Sequence, residues 1–366
     1  MASYIYQSLV SESSFGNPGS LHRLGTAAKK IEEDALQRIC NVLSCKRDEF
    51  FFTSCGTESI NTAIRGYLRG NPRAGKHILT SKTEHKAVLE TLSQLERDGY
   101  EVTYLSVSRE GTVPLDEFSS SIRKDTALIS LTYVNSESGA ILPVNDIVAA
   151  KNAIRRDARI HIDCVQALGK LPISLPDMGI DMASFSGHKI HCVKGIGGLY
   201  VKKGCRVSPL LLGGGQQNGI RSGTQSPWLY GAFALAAERM EEKREIAFRE
   251  TVRRRDLLLS GLKAFDIQIN SPESASPFIV NVSFPDFQSE TMLHALESHD
   301  VYVSTVSACS SRKQKISYVL LEMGIPRDRA SRAIRISFSP FSSEAEVVSF
   351  CETVSEVYRH FSLKRG

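Results

Sequence analysis

Between about residues 20 and 260, short apolar runs alternate with stretches whose apolar positions recur every three or four residues. The first pattern predicts strands and the second amphipathic helices. Helical spacing covers HRLGTAAKKIEEDALQRICNVL (22–43), ESINTAIRGYL (58–68) and KAVLETLSQLERDG (86–99). Strand-like runs are EFFFTS (49–54), KHILTS (76–81), EVTYLSV (101–107), ALISLTYV (127–134), RIHID (159–163), MASFS (182–186) and GGLYVKK (197–203). This alternation predicts an α/β domain on a mostly parallel sheet. Residues 225–262 read as one or two helices that carry the chain into a second domain. There FIVNVSF (278–284), VYVSTVS (301–307) and AIRISFS (333–339) are strand-like, with helices between them. The expected division is a large domain over 16–250 and a small one over 251–366 together with 1–15. No internal repeat and no low-complexity linker interrupts the pattern.

Composition narrows the class. The chain has 366 residues, 42% hydrophobic and 23% charged, enough for a large core and two domains. Its net charge is +5 with no dense Lys/Arg block, so nothing favours nucleic acid or a membrane surface as partner. The opening MASYIYQSLVSESS lacks a basic segment followed by an apolar one, and no apolar run is long enough to span a bilayer. A cytoplasmic protein is expected. The eight cysteines are scattered and form no CxxC pair, which argues against a disulfide framework or a metal site.

The polar residues that follow the strand runs suggest chemistry, because open α/β sheets bind ligands beyond the carboxyl ends of their strands. SCGTES (54–59) joins a strand to a helix, where Gly56, Thr57 and free backbone N–H groups suit an anion. Alone, Thr57 is more simply read as a helix cap. TEHKAV (83–88) places His85 between a strand and a helix, where a capping histidine is the plainer reading. HIDCVQALGK (161–170) ends a strand on Asp163, with Gln166 three residues on. SFSGHK (184–189) ends another on Ser186, His188 and Lys189, and GGGQQNGIRSGT (213–224) is a glycine-rich loop with Arg221 and Thr224. A lysine ending a buried strand is costly unless solvated, paired or chemically used. Together these are the parts of a pyridoxal 5'-phosphate (PLP) site: an anchoring lysine, an acid for the ring nitrogen, phosphate donors and a flat side chain over the ring.

The ordered stretches FFTSCGTESINTAIRG, GKHILTSKTEHKAVLETLSQLE, HIDCVQALGKLPI, ASFSGHKI, GGGQQNGIRSGTQ and SACSS resemble the cysteine desulfurases of the NifS/IscS type. These are fold-type I PLP enzymes of the class V aminotransferase group. The resemblance runs from FGNPGSLHRLG (15–25) to AIRISFS (333–339). It implies a large domain with a seven-stranded, mostly parallel sheet and a smaller C-terminal α+β domain. By position it implies that Lys189 carries the cofactor covalently and that Thr57, Ser186 and His188 hold its phosphate. Asp163 would meet the pyridine nitrogen, Gln166 the ring hydroxyl, and His85 would stack on the ring. Thr224 would reach the phosphate of a neighbouring subunit, which implies a homodimer. Asn135 and Arg335 would hold the substrate carboxylate. Cys309, in SACSS, would be the nucleophile that takes sulfur from L-cysteine as a persulfide, leaving L-alanine. The sulfur would pass to an acceptor or cluster-scaffold protein, for iron–sulfur clusters or tRNA thiolation.

The pattern also departs from the family. The opening strand and Asp/Asn/Ala/Thr-rich turn of relatives have no counterpart. Cys192 and Val193 stand where a Gly–Pro pair is usual, YVNSESG (133–139) and SPWLYG (226–231) differ from the common pattern, and Val306 replaces a frequent glycine. None of these removes a residue with an assigned role. Two other readings stay open from sequence: a selenocysteine lyase or other class V lyase or transaminase, against which SACSS argues, and an inactive scaffold relative.

Overall fold

The structure is a computed structural model that describes residues 2–305 and 316–363. In the first compact unit, which comprises residues up to Leu105, Leu115–Tyr133 and Pro143–Arg244, helices and strands alternate. The order is α1 (Ala2–Val10), α2 (Glu12–Phe15), α3 (Arg23–Leu43), β1 (Phe50–Thr53), α4 (Gly56–Gly70), β2 (His77–Ser81), α5 (Lys86–Arg97) and β3 (Glu101–Leu105). It continues with α6 (Leu115–Ser121), β4 (Thr126–Thr132), α7 (Val144–Ile154), β5 (Arg159–Asp163), α8 (Leu175–Met178), β6 (Met182–Ser186) and β7 (Gly197–Val201). The residues read as one or two helices form a single helix, α9 (Pro227–Gly261), and the unit boundary at Arg244 falls inside it.

The seven strands lie in the order β1-β7-β6-β5-β4-β2-β3. All neighbouring pairs from β6 through β3 are parallel, and β7 runs antiparallel to both β1 and β6. Parallel strands are buried on both faces and read as continuous apolar runs rather than alternating ones. The edge strand β1, although its pairing is antiparallel, is also buried on both faces. Phe51 packs with Ile60, Ile64 and Leu68 of α4, whereas its neighbours Phe50 and Phe52 face α9. There Phe52 stacks on Tyr230 at 4.1 Å and Phe50 on Phe233 at 6.3 Å between ring centroids. A side chain at Gly198 on β7 would run into the Phe50 ring, so that strand needs glycine there. Helix α4 turns Ile60, Ala63, Ile64, Tyr67 and Leu68 onto the sheet, the i, i+3, i+4, i+7, i+8 stripe of a helix with one buried face.

The second unit comprises Ser106–Pro114, Val134–Leu142 and the chain from Glu245. It adds β8 (Gln268–Ile269), β9 (Ile279–Ser283), α10 (Ser289–Glu297), α11 (Tyr318–Glu322), α12 (Arg327–Ser331), β10 (Ala333–Ser337) and α13 (Glu344–Leu363). Its sheet is antiparallel, in the order β10-β9-β8. Val280 and Val282 of β9, Ile334 and Ile336 of β10, and Val347, Phe350, Val354 and Val357 of α13 form its core. The run expected as a strand at 301–307 is corrected over its described part. Residues 301–305 form no strand. Only Ser304 pairs, exchanging backbone hydrogen bonds of 3.1 and 2.8 Å with Arg335. Among the described residues no helix is long and apolar enough to cross a membrane.

Candidate active site

The parallel strands of the first unit end at one edge of the sheet, and their polar terminal residues collect there. The register sets Thr132 of β4 beside Asp163 of β5, and Asp163 beside Ser184 of β6. Asp163 is 5% exposed, and its Oδ1 accepts the Val165 N–H at 2.9 Å. Burial pushes its carboxyl up to about 6 against that hydrogen bond. A buried acid of this kind is stabilised by a cationic partner, which a pyridinium N–H supplies.

One strand over, β6 ends on buried Ser186, and Gly187–Ile190 make a single 3-10 turn carrying His188 and Lys189. His191 closes the turn in the left-handed conformation (φ 60°). Ser186 Oγ and His188 Nδ1 are hydrogen-bonded at 2.9 Å. Burial and the charges of Lys189, Lys194 and Lys170 hold His188 below its ordinary range. Gln166 Oε1 accepts from Lys170 Nζ at 3.0 Å, so its amide nitrogen is the group available to a cofactor oxygen.

The N-terminus of α4 closes on the same place. A Cβ at Gly56 would lie 3.0 Å from Val165 Cγ2 and 3.2 Å from Ser186 Cβ. Glycine lets the first turn of α4 approach the ends of β5 and β6, and Thr57 stands exposed beside it. The fifteen residues of α4 give this N-terminus the partial positive charge and free N–H groups that bind phosphate. Glu58 ties in the glycine-rich loop. Its Oε1 accepts from Arg221 Nε at 2.9 Å and its Oε2 from the Ser54 N–H at 2.7 Å. Burial works against this carboxylate, but the hydrogen bonds from Ser54 and Arg221 outweigh it and hold it below its usual range. Thr224 is exposed in that loop, just after Gly223 (φ +124°).

His85 stands at the start of α5. It caps α5, its Nδ1 accepting the Ala87 N–H at 3.1 Å, which leaves the proton of the neutral ring on Nε2. It also feels Lys189: burial first and that charge second hold it below the ordinary histidine range. Its neighbour Glu84 escaped the sequence reading, although it stands next to His85 in TEHKAV. Glu84 is 1% exposed, and its Oε1 accepts from Ser81 Oγ at 2.7 Å and from the Thr132 N–H at 3.1 Å. Burial pushes it up to about 8, the two hydrogen bonds oppose this, and the Asp163 charge adds to it.

The expected substrate residues belong to the second unit. Asn135 is buried, and its Oδ1 accepts the N–H groups of Glu137 and Ser138, both at 2.9 Å, so it shapes the 135–139 turn. Arg335 on β10 donates from Nη1 to the Ser136 carbonyl at 2.9 Å and from Nη2 to Ser304 Oγ at 3.0 Å, while its buried Nε has no acceptor among the described residues. The structure therefore brings Arg335 to the turn that Asn135 builds. Cys309 lies outside the described residues. Among the described residues no group of three or more His, Cys, Asp and Glu is placed to hold a metal ion.

The donor set fits PLP: a buried acid, a lysine one strand away, and a helix N-terminus with hydroxyl and imidazole groups beside it. Known proteins identify the family. The family Aminotransferase class-V matches residues 6–350. A cysteine desulfurase of Nostoc sp. is 39% identical over 347 residues, covering 94% of this chain and 86% of its own. The cysteine desulfurase IscS of Klebsiella pneumoniae is 40% identical over 357 residues, 95% of this chain and 86% of its own. A solved NifS-like protein superimposes with a TM-score of 0.93 at 35% identity, covering 98% of this chain and 95% of its own. With strand-end chemistry, fold and sequence in agreement, the chain belongs to the class V aminotransferases, among the cysteine desulfurases of the NifS/IscS type.

Proposed function

We infer that this protein is a PLP-dependent cysteine desulfurase: it converts L-cysteine to L-alanine and leaves the sulfur on an enzyme cysteine. The observation that carries the reading is the pairing of buried Asp163 at the end of β5 with the Ser186–Lys189 turn at the end of β6, in a chain 39–40% identical to named cysteine desulfurases. PLP bound there supplies an electron sink for the carbon that bears the substrate amino group.

The chain's own residues do the rest. Lys189 would anchor the cofactor, and its Nζ would take the substrate α-proton. Asp163 holds the ring nitrogen protonated, the form in which its buried charge is compensated. Ser186, His188, Thr57 and the α4 N–H groups hold the phosphate, and the Gln166 amide meets the ring hydroxyl. His85 covers the ring with its neutral imidazole and offers a proton from Nε2. Arg335 takes the substrate carboxylate, and Asn135 sets the adjoining turn. Cys309 is the nucleophile for sulfur, and it acts as the thiolate. Thr224 serves the phosphate of a second subunit, so the working form is a cytoplasmic homodimer. The persulfide sulfur passes to an acceptor protein for iron–sulfur cluster assembly or tRNA thiolation.

The test combines spectroscopy with product analysis. Purified protein given PLP develops the yellow band of lysine-bound cofactor, L-cysteine perturbs it, and alanine accumulates. Lys189→Ala lacks both the band and the alanine. A protein that binds PLP through Lys189 but makes no alanine from L-cysteine overturns the reading.

A further inference from the structure

Away from the strand ends, α3 finishes in a Schellman motif. Ser44 takes the left-handed conformation (φ 55°, ψ 30°), its N–H points to the Asn41 carbonyl at 3.4 Å, and the Cys45 N–H reaches back to the Cys40 carbonyl at 3.0 Å. This geometry faces the residue third from the helix end with the second residue beyond it, a contact usually made by two apolar side chains. Here both are cysteines. Both cysteines are free. Cys40 is 1% exposed and also reaches the Lys46 carbonyl at 3.5 Å, whereas Cys45 is partly exposed.

The backbone already satisfies the distance a disulfide needs. Each carbonyl oxygen lies about 2.4 Å from its own Cα and each amide nitrogen about 1.5 Å from its own Cα. The 3.0 Å hydrogen bond thus keeps the two Cα atoms within about 7 Å, the separation beyond which bridging requires backbone movement.

We propose that Cys40 and Cys45 are a redox-active dithiol, a modification site that a small-molecule disulfide such as oxidised glutathione converts to an intramolecular disulfide. Cys45, the more exposed, loses its proton, and its thiolate attacks one sulfur of the small disulfide. A mixed disulfide forms and one small thiol leaves with that proton. Cys40 then loses its proton and attacks the Cys45 sulfur. The Cys40–Cys45 bond forms as the second small thiol departs with the second proton. The protein gives up two electrons, and the small disulfide is reduced to two thiols. The bridge closes around the turn Ser44 already makes, so the helix end and the start of β1 stay in place. The proposal does not depend on the cofactor or on Cys309.

The sequence offers a clean readout, because trypsin cuts after Arg38 and Lys46 and releases ICNVLSCK with both cysteines in one peptide. Full-length protein is equilibrated with mixtures of reduced and oxidised glutathione, quenched in acid, alkylated with iodoacetamide under denaturing conditions and digested. The expected product is an unalkylated ICNVLSCK two hydrogens lighter than the dithiol, increasing with the oxidised share and reversed by dithiothreitol. In Cys40→Ser the glutathione adduct on Cys45 should persist, whereas the unsubstituted chain resolves it. Two separately glutathionylated thiols in the unsubstituted chain, or a doubly alkylated peptide under mixtures that oxidise the free synthetic peptide, would overturn the proposal.

Discussion

His161, two residues before Asp163, is 0% exposed on β5 and is clamped between two hydroxyls. Its Nδ1 meets Ser130 Oγ of β4 at 2.9 Å and its Nε2 meets Ser184 Oγ of β6 at 2.8 Å. The neutral ring needs one donor and one acceptor, and serine hydroxyls supply either. The imidazole therefore fastens together the three strands whose ends carry Thr132, Asp163 and Ser186. Burial pushes it down to about 3, against about 6.5 in an unfolded chain. Between those values the unfolded chain binds a proton that the native one does not, so stability falls as pH falls through that window. Glu84 and Asp163, raised to about 8 and about 6, act with the opposite sign, stabilising at low pH and losing that stability as pH rises. They are present in both proteins of a comparison and cancel in the difference. Substituting His161→Gln removes the histidine contribution alone. From pH 6 to pH 5 the unsubstituted, cofactor-free protein should lose about 1.2 kcal/mol more than the variant. Urea unfolding followed by circular dichroism at the two pH values measures this. Equal losses in the two proteins, or an imidazole carbon signal of His161 titrating near 6.5, would refute the reasoning.

Asp163→Asn keeps the acceptor for the Val165 N–H but removes the charge. It should still fold and bind PLP, while alanine formation falls on the order of a hundredfold or more; near-normal turnover would contradict the role given to the acid. Arg221→Ala unties the glycine-rich loop from Glu58. PLP affinity, read by fluorescence titration, should weaken about tenfold, or about 1.4 kcal/mol; unchanged affinity would show that the loop does not support the phosphate site. Gly198→Ala sets a methyl group against the Phe50 ring and should lower unfolding stability by about 1–3 kcal/mol, a loss visible as a lower urea midpoint, whereas an unmoved midpoint would mean that β1 and β7 can separate without cost.

What could be read from the sequence followed how local each feature is. Buried parallel strands show as apolar runs, and the residue that ends each run is where chemistry gathers, so Asp163, Ser186 and Lys189 stood out. Thr57 and His85 were legible for the same reason, each sitting between a strand and a helix. Glu84 was not, because its importance comes from Thr132, a partner 48 positions away. The bonds of Arg335 to Ser136 and Ser304 span 199 and 31 positions, and only the resemblance singled that residue out. The alternation in VYVSTVS reflects real burial, since Val301 and Val303 pack on the second core. Over 301–305 it makes no strand because backbone pairing is a separate requirement, met among the described residues only at Ser304. Cys40 and Cys45 looked like scattered cysteines because the left-handed turn at Ser44 that joins them leaves no mark in an apolar pattern.

The central claim is sulfur transfer from L-cysteine to this chain, and a single turnover tests it most directly. PLP-loaded protein is mixed with one equivalent of L-cysteine carrying heavy sulfur, quenched, and divided for alanine analysis and for mass spectrometry of the alkylated protein. The account predicts alanine and Cys309-bound heavy sulfur in equal amounts, with neither product in Lys189→Ala. Alanine formed with no heavy sulfur on Cys309, or loaded protein that yields no alanine, would contradict it.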